Sequence, residues 1–82
     1  MSNKEVELNQ MWNDLCEVYS KNYIRSEVQP NMVMYIKDDG NTIARITKYQ
    51  DRIVLSITDF SRDGAVKYVF KNLQDLNTFW DM

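Results

Sequence analysis

The chain has 82 residues, 44% apolar and 27% charged, with ten basic side chains against twelve acidic ones and a net charge of −2. That composition fits one folded domain spanning 1–82, near the lower size limit for independent folding, and excludes a disordered tail. One cysteine, no histidine and no apolar run near the roughly 20 residues of a membrane span exclude an internal disulfide framework, histidine chemistry and a transmembrane helix.

Met1 to Gln10 is polar and acidic where a signal peptide would be basic and then apolar, so a cytoplasmic location is expected. Ser2 and Glu5 have the spacing of a capping box, and Leu8, Met11, Trp12, Leu15 and Tyr19 follow at helical spacing. A helix is expected from about Lys4 to Asn22. Tyr23 to Asn31 reads as a connection, with Pro30 holding Gln29 away from helical angles.

Four strands are then predicted, at about Met32–Lys37, Thr42–Tyr49, Arg52–Asp59 and Ala65–Lys71. Asp38-Asp39-Gly40 suits a three-residue turn, Gln50-Asp51 a two-residue one, and Ser61-Arg62-Asp63-Gly64 a third polar turn. Asn72 is placed to cap a last helix, with Asp75 in its first turn and Leu73, Leu76, Phe79 and Trp80 on its apolar side. The expected fold is α+β: an N-terminal helix, a four-stranded antiparallel meander and a C-terminal helix, both helices on one sheet face.

Strand parity assigns the faces. The three-residue first turn pairs Met34 with Ala44 and Met32 with Ile46. The two-residue second turn pairs Ile46 with Leu55 and Ala44 with Ile57. In the third hairpin Ile57 is set opposite Tyr68 and Leu55 opposite Phe70. One face then collects Met32, Met34, Ile36, Ala44, Ile46, Ile53, Leu55, Ile57, Val66, Tyr68 and Phe70 as the core. The other collects Val33, Tyr35, Lys37, Ile43, Arg45, Thr47, Tyr49, Val54, Ser56, Thr58 and Val69, within which Val33, Tyr35, Ile43, Arg45, Thr47, Tyr49 and Val54 form a mixture of β-branched, aromatic and cationic groups. Wet sheet faces are richer in Thr, Lys, Glu and Ser, so these residues are the candidate partner-binding surface. High strand propensity alone would place the same residue types there.

Catalytic patterns are missing. Cys16 beside Glu17 reads as a buried, inert thiol. Asp38, Asp39 and Asn41 around Gly40 fit a hairpin turn, because no glutamate closes a calcium loop. Asp59 and Asp63 fit turn formers rather than paired hydrolytic acids. The two glycines both fall in turns, so no phosphate-cradling loop exists. Trp12 and Trp80 sit on helical stripes and are expected in or at the edge of the core. No enzyme activity, cofactor or metal is expected. Glu5, Glu7, Asp14 and Glu17 follow the exposed side of the first helix and form a secondary, acidic candidate surface.

Helix, meander, helix resembles the double-stranded-RNA-binding domain in outline. Those domains carry lysines at the start of their last helix, where this chain has Asn72, Leu73, Gln74 and Asp75, so nucleic acid is the disfavoured partner. Size, charge and architecture also resemble small acidic chaperones and the small inhibitors encoded by phages and mobile elements. Three functions follow as expectations. The first is a non-enzymatic module that binds and regulates or inhibits a protein, such as a host nuclease or another nucleic-acid-handling defence factor. The second is a homodimeric adaptor or chaperone using the outer sheet face. The third is a nucleic-acid binder using Lys37, Arg45, Lys48, Arg52, Lys67 and Lys71.

Overall fold

The computed structural model describes residues 3–62 and 64–82; the expected Ser2 cap and Asp63 of the third turn lie outside them. A long helix α1 (Asn3–Asn22) leads into strands β1 (Tyr23–Gln29), β2 (Met32–Lys37), β3 (Thr42–Lys48), β4 (Ile53–Asp59) and β5 (Ala65–Phe70), and helix α2 (Leu73–Trp80) follows. The strands form one antiparallel meander in the order β1-β2-β3-β4-β5. The α+β class and the antiparallel sheet agree with expectation, but the sheet has five strands and not four.

The additional strand is β1, where a connection was expected. It pairs with β2 from Tyr23↔Lys37 to Gln29↔Met32, with a bulge between Arg25 and Glu27. That bulge switches the side-chain parity partway along, so Ile24 and Val28 land on opposite faces and never show period-2 alternation. Six of its seven residues are exposed, as suits an edge strand. Pro30 and Asn31 make the following two-residue turn.

The first predicted turn is one residue too short. Ile36 pairs with Ile43 and Tyr35 with Ala44, so the connection is Asp38-Asp39-Gly40-Asn41. The Gly40 N–H donates to the Lys37 carbonyl at 2.9 Å, and the Asn41 N–H donates to Asp39 Oδ1 at 2.8 Å. Gly40 adopts a φ of 75°, which glycine accepts without a Cβ penalty. The extra residue inverts β2 relative to expectation: Val33 and Tyr35 point into the core, and Met32, Met34 and Ile36 point out.

The second turn is as read. Ile46 faces Leu55, Ala44 faces Ile57, and the Tyr49 N–H donates to the Arg52 carbonyl at 2.8 Å across Gln50-Asp51. The third hairpin slips by two residues, pairing Leu55 with Tyr68 and Ile57 with Val66. An even slip preserves each side chain's face.

The core is one cluster. Leu8, Met11 and Leu15 of α1 and Leu76 of α2 meet Val33, Tyr35, Ala44, Ile46, Ile53, Leu55 and Phe70 of the sheet. Both helices therefore cover the same face. Trp12, Cys16, Tyr19, Tyr68 and Phe79 pack around this cluster, while Trp80 is exposed at the end of α2. Polar bonds tie α1 to the start of α2 and to the residues before it: the Leu73 N–H donates to Glu7 Oε2 at 3.2 Å, and the Lys4 ammonium donates to the Lys71 carbonyl.

Candidate functional site

The strand register places the outward side chains in three cross-strand rows. The first is Ile24–Ile36–Ile43–Thr58–Ala65, the second Glu27–Met34–Arg45–Ser56–Lys67, and the third Gln29–Met32–Thr47–Val54–Val69. Residues directly opposite on neighbouring antiparallel strands share a face, so each row is a continuous line of neighbours. Among the described residues no segment of the chain lies over these rows, because both helices are committed to the opposite face. Their apolar members run from Ile24, 65% exposed on one edge strand, to Val69, 48% exposed on the other. Met32, Met34, Ile36, Ile43 and Val54 are half-buried.

Of the expected binding residues, Ile43, Arg45, Thr47 and Val54 fall on this face. Val33 and Tyr35 do not: they are 3% and 2% exposed and belong to the core. Tyr35 donates its hydroxyl to the Cys16 carbonyl at 3.4 Å, and its ring lies 6.3 Å from that of Tyr19. Burial, with hydrogen bonding and proximity to Cys16, pushes the Tyr35 phenol up to about 12. Tyr49 lies beyond the end of β3 with the Arg52 guanidinium 4.3 Å from its ring centre. The residues missed by sequence reasoning are Ile24, hidden by the bulge in β1, and Met32, Met34 and Ile36, whose signal was Asn41 as a fourth turn residue after Asp38-Asp39-Gly40.

The acidic helix is partly occupied. Glu7 accepts from Leu73 at the start of α2 and faces Lys4 at 3.8 Å, and Glu17 faces Lys21 at 3.9 Å one helical turn away. Glu5 borders a cleft of about 610 Å³ with Leu8, Asn9, Asn31, Lys48, Tyr49 and Gln50. Asp14 is half-buried on the same helix.

The cations do not gather. Lys48 donates to Asn9 Oδ1 at 3.0 Å and lies 5.8 Å from the centre of the Trp12 ring; Arg52 pairs with Asp51 at 2.8 Å. Lys37 shares the helix-facing side of β2 with Tyr35, whereas Arg45 and Lys67 stand on the outer face. Burial pushes the Cys16 thiol up, with Tyr35 and Arg25 offsetting part of that shift. Among the described residues no group of three or more His, Cys, Asp or Glu is arranged to hold a metal ion, and no helix is long and apolar enough to cross a membrane.

No protein family, curated protein or solved structure matches the chain.

Proposed function

We propose that this protein is a non-enzymatic protein-binding module whose working surface is the outer face of its sheet. One observation carries the reading: two apolar runs left uncovered by either helix, Ile24–Ile36–Ile43 on one side of Arg45 and Met32, Val54 and Val69 on the other, with Met34 joining them on β2. Met32, Met34 and Ile36, alternate residues along β2, add an adaptable apolar surface. A module that only occupies such a partner surface regulates or inhibits by occlusion. That mechanism demands no catalytic group of its own.

The test is differential capture. Ile36→Lys with Ile43→Glu places an opposite-charge pair at two directly facing positions, so it removes apolar surface without cross-strand repulsion. Proteins retained by the wild type and lost by the variant, with unchanged circular dichroism, support the reading. Equal retention by both moves the binding surface off the sheet.

A further inference from the structure

We infer that the occupant of the outer face is a second copy of this chain, packed face to face about a twofold axis running along β3. The inference rests on the outer face being a binding surface and names its partner.

The argument is one of charge order. The middle row reads Glu27, Met34, Arg45, Ser56, Lys67 from one sheet edge to the other, with an acid at one end and a base at the opposite end. A twofold axis parallel to the strands through β3 exchanges β1 with β5 and β2 with β4 while keeping each row on itself. Glu27 of each copy then faces Lys67 of the other, twice over. Lys67 has no ion-pair partner within its own chain among the described residues. In the flanking rows Ile36 meets Thr58, Met32 meets Val54, and Ile43 meets its own copy. The alternative axis, across the strands, would set Glu27 against Glu27 and Lys67 against Lys67. Charge therefore selects one arrangement of the two.

The area agrees. Five strands spaced about 4.8 Å apart, each presenting about 20 Å of length, offer about 500 Å² per copy. The total of about 1,000 Å² lies just below standard-size interfaces, in the range of weak, transient association. Stacked sheets cross at about −30°, and the long Glu27 and Lys67 side chains span the resulting offset at the edges. One group opposes the arrangement: Arg45 sits on the axis against its own copy. Removing it should tighten the dimer, whereas a different, acidic partner anchored on Arg45 would be lost.

Sedimentation of the full chain from micromolar to near-millimolar concentration tests this. The wild type should form a concentration-dependent dimer. E27K and K67E should each weaken it by about tenfold, the double variant E27K/K67E should restore it to within about threefold, and Arg45→Ala should strengthen it. A wild-type monomer throughout, single reversals without effect, no rescue in the double variant, or weakening by Arg45→Ala would each overturn the inference. A monomer that still captures a partner through Ile36 and Ile43 leaves the protein-binding reading intact, so the two failures are distinguishable.

Discussion

The Tyr35 hydroxyl donates to the Cys16 carbonyl at 3.4 Å, joining the middle of β2 to the C-terminal half of α1 across the core. The bond gives a partner to the phenol of a tyrosine only 2% exposed, which would otherwise be buried unpaired. Tyr35→Phe should cost about 1 kcal/mol in urea unfolding, the net worth of one hydrogen bond. Tyr35→Ala should cost about 4 kcal/mol through the cavity it leaves. A loss below about 1 kcal/mol for the alanine variant would mean that Tyr35 faces solvent.

Alkaline pH should destabilise the fold. Tyr19 and Tyr35 are both pushed up to about 12, burial being the main cause, against about 10 in the unfolded chain. Above pH 10 the folded state holds these protons more firmly than the unfolded one. Their contribution is therefore complete below pH 10 and is lost as pH rises through about 12. Tyrosinate absorbance followed alongside unfolding checks this: ionisation of these two residues at pH 10 in the folded protein would contradict it.

The first hairpin should be sensitive to both conformation and length. Gly40 has open space where a Cβ would go but a φ of 75°, so Gly40→Ala should cost about 1 kcal/mol through backbone strain alone. Deleting Asn41 should do far more, since it forces either a strained connection or the inverted β2 face. Comparing the two urea midpoints tests the register directly.

The start of α2 depends on two acceptors. Asn72 Oδ1 receives the Asp75 N–H at 2.9 Å, and Glu7 of α1 receives that of Leu73. Asn72→Ala should cost about 1 kcal/mol. Glu7→Ala should speed amide exchange in Leu73 to Asp75 while leaving α1 protected. Unchanged exchange there would show that α1 does not hold α2 in place.

Much of this was legible in the sequence. The stripe of Leu8, Met11 and Leu15, the Asn72 cap and the Gln50-Asp51 turn each rest on a local signal, and each is found in the fold. The errors share a cause. A bulge in β1 and one additional residue in the first turn both change parity, and parity is set by backbone geometry that composition does not report. Asn41 between Gly40 and Thr42 reads equally as the turn's end or the strand's start. Its hydrogen bond to Asp39 decides the matter, and Val33 and Tyr35 change places with Met32, Met34 and Ile36 as a consequence. The outer apolar field survived that exchange because both faces of β2 are apolar.

Ile36→Lys with Ile43→Glu tests the central claim most directly, when urea unfolding and association are measured on the same variant. The outer-face account predicts a stability loss below about 1 kcal/mol, because neither side chain is in the core, together with loss of association by more than about tenfold. Association at wild-type strength in the folded variant, or a collapse of the fold as large as that expected for core truncation, would contradict it.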